Sequence, residues 1–211
     1  MALFLGFIVF SYFVAKERLL SIDFDTTVKI QDKLTRGVDY PFSLISVVGS
    51  VEVIAVVCIV LIVILLLKKY YWSALAIFLL PLALALEVYG KIAVEHPGPP
   101  HMFYRGVISY EFPSHYVQTD YSYPSGHTLR FAFVLFFLMT ISYLKTSGVK
   151  RLVLIAGLGL LVLAVCVSRV YLGEHWFSDV VGGLLLGSSL GILAGSLVPG
   201  KRKKEGEGLA G

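Results

Sequence analysis

Five side chains able to do proton and phosphate chemistry stand at the ends of long apolar runs in this chain. They are Lys91, His127 within Pro124-Ser125-Gly126-His127, and Arg169, His175 and Asp179. His175 and Asp179 are four residues apart, so on a helix they share a face. A carboxylate that takes the proton of one imidazole nitrogen leaves the other nitrogen free to attack. The same spacing also fits an interfacial histidine beside a helix-capping aspartate. Arg169 carries a planar fork that matches phosphate oxygens, or it is a basic side chain snorkelling from a helix end. Ser125-Gly126-His127 reads as a helix start. Ser125 would be the N-cap, Gly126 would allow close approach, and the free N–H groups would bind an anion. His127 would then stand within reach of a leaving-group oxygen. Lys91 either meets the same anion or neutralises Glu87, four residues before it. Together these groups are the equipment for removing a phosphate from a lipid.

The elements that must position them are membrane helices. Of 211 residues, 57% are apolar and only 15% are charged, with a mean hydropathy of +0.81. A soluble domain has about a quarter of its residues charged, so lipid is part of this chain's solvent. The net charge of +4 is not a nucleic-acid signal, because the basic residues are scattered between apolar blocks. The exception is Lys201-Arg202-Lys203-Lys204, which reads as a cytoplasmic anchor on anionic lipid. Cys58 and Cys166 fall inside apolar blocks and read as small buried side chains. No metal-ligand spacing is present, and no cofactor is expected.

A span needs about 20 apolar residues. Segments 44–67, 71–94, 125–144, 152–172 and 176–198 meet that requirement. Segment 1–14 makes a sixth, read as a retained helix rather than a cleaved signal. The expectation is an all-α integral membrane bundle of about six transmembrane helices, forming one domain over 1–200 with a basic cytoplasmic tail at 201–211. Segment 23–38 puts Phe24, Val28, Leu34 and Val38 on one arc and charged residues on the other. It reads as an amphipathic helix in the interface plane or as a solvated connecting helix. The loop 95–124, rich in proline and aromatics, is expected to cap the site. Gly183, Gly187, Gly191 and Gly195 form a small-residue stripe for close helix packing. That packing is internal, or joins two protomers in a homo-oligomer.

With alternating helix direction, Lys68, Lys69, Lys145, Lys150 and Arg151 share one side, read as the cytoplasm. At 1.5 Å per residue, Lys91 lies about 30 Å and Arg169 about 27 Å from the cytoplasmic starts of their spans. Residues 125–127 open their span at the same outer side. Four segments thus bring ionisable residues to one interface, where such groups mark function. Their clustering at a surface, rather than at mid-bilayer, argues against a transporter.

Ser168-Arg169, five residues, His175, three residues, Asp179 resembles the third signature of the type 2 phosphatidic acid phosphatase family. Pro124-Ser125-Gly126-His127 resembles its second. The resemblance covers roughly 45–198. It implies a metal-independent lipid phosphatase of a plasma membrane, acting at the extracytoplasmic face on phosphatidate, phosphatidylglycerol phosphate or undecaprenyl (di)phosphate. It further implies His175 as nucleophile, Asp179 as its orienter and His127 as proton donor. Lys91, Ser125, Gly126 and Arg169 would hold the phosphate oxygens. The first signature is broken. Its pattern is K-x6-R-P, and Lys91 and Pro99 keep the spacing, but Gly98 stands where the arginine belongs. Arg130, Arg105 and His96 are the candidate replacements. Arg130 is preferred, since a buried arginine in that span otherwise lacks a partner, although Glu52 could provide one. Two other readings are a lipid phosphotransferase using the same intermediate, and a catalytically impaired lipid-binding homologue.

Overall fold

The computed structural model describes residues 2–109, 112–113 and 121–199. The basic tail and residues 110–111 and 114–120 of the long loop lie outside the described residues. The described chain is all-helical: α1 (Ala2–Ala15), α2 (Leu20–Lys33), α3 (Asp39–Val48), α4 (Val51–Leu67), α5 (Tyr71–Ala76), α6 (Leu79–Val94), α7 (Gly126–Lys145), α8 (Gly148–Tyr171) and α9 (Phe177–Ser196). Pro97 and Tyr121 pair in an isolated antiparallel bridge.

Among the described residues the spans come close to the expected six: four clear ones, a broken fifth and one shorter apolar helix. Tyr71–Val94, Gly126–Lys145, Gly148–Tyr171 and Phe177–Ser196 are each long and apolar enough to cross a bilayer. A fifth span is a broken one, Arg36–Val48 with Val51–Leu67, bent by 58°. The bend sits at Gly49-Ser50, where Ser50 caps α4 by accepting from Val53 N at 3.3 Å. Helix α1 has 14 residues, about 21 Å of rise and too short for a straight crossing.

The bundle is organised on α7 and α9. Every fourth residue of α9 is glycine, and each lies against the α7 backbone. A Cβ on Gly183, Gly187 or Gly191 would collide with the carbonyl oxygens of Ser125, Leu129 or Phe133. At Gly195 it would fall 3.0 Å from Phe137 O. Of the two packings the stripe allows, the internal one is present. The stripe is consumed inside the protein, where it lets two backbones approach closely. Leu129, Phe133, Phe137 and Leu186 fill the core beside it. Leu160 and Leu163 of α8, by contrast, are 66% and 61% exposed, as expected for a face solvated by lipid.

Helix α2 turns a polar face inward and leaves apolar side chains on its outer face. Asp23, Thr27 and Gln31, spaced i, i+4, i+8, are buried, while Phe24 is half exposed. The buried face is polar because the bundle offers it polar partners. Gln31 Nε2 donates to Phe103 O at 2.7 Å and to Tyr171 O at 2.8 Å. Asp23 Oδ1 accepts from Ser178 N at 2.7 Å.

The two ends of the bundle are chemically distinct. At one end Lys145 Nζ donates to Tyr70 OH at 3.4 Å and lies over that ring. Ser73 Oγ donates to Leu197 O at 3.2 Å, bringing the end of α9 to the same place. The motif residues gather at the other end.

Candidate active site

Helix α7 opens as the residue types require. Ser125 has extended backbone dihedrals, and its Oγ accepts from Thr128 N at 3.4 Å. Ser125 N donates to Asp179 O at 2.9 Å. That bond ties the start of α7 to the first turn of α9 and fixes the free N–H groups of α7 relative to the His175–Asp179 pair. Gly126 gives Glu87 its room, because a Cβ there would force the Glu87 carboxylate to shift. Gly90 is held the same way, with its Cβ position 2.8 Å from Pro124 Cδ.

The helix-capping reading of the His175–Asp179 spacing is realised, and the two side chains face each other without a formed hydrogen bond. Asp179 Oδ2 accepts from Trp176 N at 2.9 Å, capping its own helix. His175 Nδ1 lies 3.4 Å from that same oxygen, at the long edge of hydrogen bonding. Burial pulls the His175 imidazole down to about 4, with the Arg169 and Lys91 charges acting in the same direction and Asp179 opposing them. The ring is therefore neutral at physiological pH. His127 lies within electrostatic reach of Arg169, Arg130, His175 and Lys91. Its Nε2 is buried without a hydrogen-bond partner among the described residues.

Each cation has a carboxylate beside it. Lys91 Nζ is 3.8 Å from Glu87 Oε1 and donates to Tyr121 O at 3.4 Å. Arg130 Nη1 is 3.6 Å from Glu87 Oε2, and its Nε donates to Gly49 O at 3.0 Å. Arg169 pairs with Glu174, which also accepts from Ser46 Oγ at 3.4 Å. Of the three candidates for the missing arginine, Arg130 shares Glu87 with Lys91 and lies within electrostatic reach of His127. Arg105 is engaged elsewhere, donating to Gln31 O at 3.1 Å and lying over the Tyr171 ring. His96 points away from the phosphate-ligand set and towards the dyad, with Nδ1 3.1 Å from Asp179 Oδ1.

Asp23, Ser178 and Glu174 belong to the site's surroundings but did not stand out in the sequence. Glu174 lies next to His175 and could have been suspected as a partner for Arg169. Asp23 gave a signal in the polar i, i+4, i+8 spacing of α2. Below Arg130 an apolar groove of about 190 Å³ runs between α4 and the α5–α6 pair. Ile54, Cys58, Ile62, Leu80 and Leu84 line it.

The family model described as PAP2 superfamily matches residues 51–203. An undecaprenyl-diphosphatase of Sulfolobus acidocaldarius is 38% identical over 36% of this chain and 33% of its own length. A putative undecaprenyl-diphosphatase of Escherichia coli is 36% identical over 56% of this chain and 54% of its own. Phosphatidylglycerophosphatase B of Bacillus subtilis is 36% identical over 41% of this chain and 42% of its own. The chain thus spans between a third and about half of the length of these curated relatives. The crystal structure of a transmembrane PAP2-type phosphatidylglycerolphosphate phosphatase from Bacillus subtilis superimposes with a TM-score of 0.72. It is 21% identical and 92% of each chain is covered, a likeness of fold.

Proposed function

Because the chain belongs to the PAP2 superfamily, we propose that it is an integral-membrane phosphatase hydrolysing a lipid phosphate or diphosphate through a phosphohistidine. One observation carries the reading above all. The 2.9 Å bond from Ser125 N to Asp179 O locks an anion-binding helix start against a neutral histidine that has its own carboxylate.

His175 Nδ1 faces Asp179, so Nε2 is the attacking atom. As the N–P bond forms, the bond from phosphorus to the leaving oxygen breaks, and His127 delivers a proton to that oxygen. Water, deprotonated by His127, then attacks phosphorus. The N–P bond breaks and inorganic phosphate leaves. Lys91, Arg169, Ser125 and the N–H groups at Gly126 hold the equatorial oxygens, whose charge grows in the transition state. Phosphate must compete with Glu174 for Arg169. The apolar groove below Arg130 accepts a hydrocarbon chain, which supports a lipid rather than a soluble phosphate ester. The reading needs no metal, and the site faces the extracytoplasmic side of a plasma membrane, because Lys68, Lys69, Lys145, Lys150 and Arg151 fall at the other end of the bundle.

The test is phosphate release by the detergent-solubilised protein from phosphatidate, phosphatidylglycerol phosphate and undecaprenyl diphosphate, with EDTA present. Release from at least one of them is expected. No release from any, or release abolished by EDTA, overturns the reading.

Arg130 is the proposed replacement for the arginine absent at Gly98. Arg130→Leu is expected to lower kcat/KM at least tenfold, about 1.4 kcal/mol of transition-state stabilisation or more. Gly98→Arg in that background should recover most of the loss. Gly98 is exposed, and a Cβ there meets Ser122 Cβ at an ordinary 3.6 Å. Near-wild-type kinetics for Arg130→Leu would remove Arg130 from the site.

A further inference from the structure

His96 sits at the centre of a buried chain of four ionisable groups. Its Nδ1 is 3.1 Å from Asp179 Oδ1, and its Nε2 is 3.8 Å from Asp23 Oδ2. Asp179 continues the chain to His175, and Asp23 accepts from Ser178 N and, at 2.8 Å, from Ser178 Oγ. His96 is 4% exposed, Asp23 1% and Asp179 0%. The backbone around His96 is pinned as firmly as the ring. Its carbonyl accepts from Ser122 N at 2.8 Å and from Ser122 Oγ at 3.2 Å, and the next carbonyl, Pro97 O, accepts from Trp176 Nε1 at 2.9 Å.

We propose that His96 is a positioning residue: held by Asp23 of α2, it takes one oxygen of Asp179 and so aims the other at His175. The proposal rests on the phosphatase reading, and it gives His96 a different task from phosphate binding. A carboxylate held from one side only can rotate. Asp179 is held at Oδ1 by His96 and at Oδ2 by Trp176 N, which leaves the plane of the carboxylate fixed for the imidazole.

The charges agree with the geometry. The groups facing His96 are Asp179 of α9, Asp23 of α2 and Glu17 ahead of α2. Burial alone would lower the basicity of His96, but the hydrogen bond to Asp179 and these three negative charges hold it above its ordinary value. Positive charge on His96 weakens the pull of Asp179 on a proton at His175. It thereby helps keep the nucleophile neutral.

Two variants of the full chain separate this role from a structural one. His96→Ala, assayed on phosphatidate in detergent micelles, should lose about 10- to 100-fold in kcat, with KM within about twofold. The acid limb of its pH profile should move to higher pH by about half a unit or more, since Asp179 is then unopposed. His96→Gln can still donate to Asp179 but carries no charge. It should recover most of kcat while keeping the displaced acid limb. An acid limb unmoved in both variants, or a rise in KM at unchanged kcat, overturns the proposal. Titration of the His175 ring nitrogens by NMR, assigned by their loss in His175→Ala, reads the same displacement without turnover. A wild-type protein that releases no lipid phosphate would defeat the phosphatase reading. The ring titration would still decide the role of His96.

Discussion

His175→Ala is expected to release phosphate at no more than about a thousandth of the wild-type rate, while the protein stays folded in detergent. The size follows from the task assigned to the ring. Without Nε2 no N–P bond forms, and a water placed in the gap has no carboxylate-oriented base behind it. Folding should survive, because the ring's Nδ1 makes no hydrogen bond among the described residues, with Asp179 Oδ2 at 3.4 Å. Asp179 keeps its bonds from Trp176 N and to His96 without it. A short exposure of the wild type to radiolabelled lipid phosphate, then an alkaline quench, should trap label on the protein, and His175→Ala should trap none. Substantial turnover by the variant would remove the covalent step. The pH profile adds an independent check. With His175 titrating at about 4, the nucleophile should stay active well below pH 6. Its neutral fraction falls only as the pH drops through that value.

The second large effect concerns architecture. Gly187→Leu should remove most of the folded protein, or lower Tm by roughly 10 °C through a loss of about 3 kcal/mol. A Cβ at Gly187 meets Leu129 O and lies 2.9 Å from Ala132 Cβ. Both belong to α7 and neither is a flexible chain end, so the helices must separate. Separation would also break the Ser125–Asp179 bond, so phosphate release should fall further than the folded fraction. Gly157→Leu is the control. Nothing lies within 4 Å of its Cβ position, and it should leave Tm and activity nearly unchanged. Equal behaviour of the two variants would mean that the stripe on α9 does not set the packing.

These two sites differ in how far they could be read from residue order. The helix start at Ser125, the His175–Asp179 face and the inner cluster of basic residues all follow from local spacing and alternating direction. Close packing by Gly183 to Gly195 was also legible, since small residues at every fourth position bring backbones together. Its partner was not, because a stripe says nothing about which helix it meets. The break at Gly49-Ser50 was not legible, because a capping serine interrupts a continuous apolar run without changing its hydropathy. The polar inward face of α2 was not foreseen, because an apolar arc normally marks the buried side. That rule holds where the interior is apolar, and here α2 lies over backbone carbonyls and the N-terminus of α9. His96 was noticed for its basicity, but its partner lies 83 residues away, and no local spacing encodes such a contact.

The docking of α1 and α2 also sets an order of events during synthesis. Ser11 meets Tyr123 OH at 2.8 Å, 112 residues later, and Asp23 meets Ser178, 155 residues later. The first helices to leave the ribosome must therefore wait in the bilayer for the last one. Until α9 is inserted, Asp23 has no Ser178 to accept from and α7 has no glycine stripe to pack on. Assembly is governed by contacts of long sequence separation, which form late and slowly. A nascent chain halted after α8 lacks His175 and Asp179, and on the proposed mechanism it is expected to release no phosphate until its final span arrives.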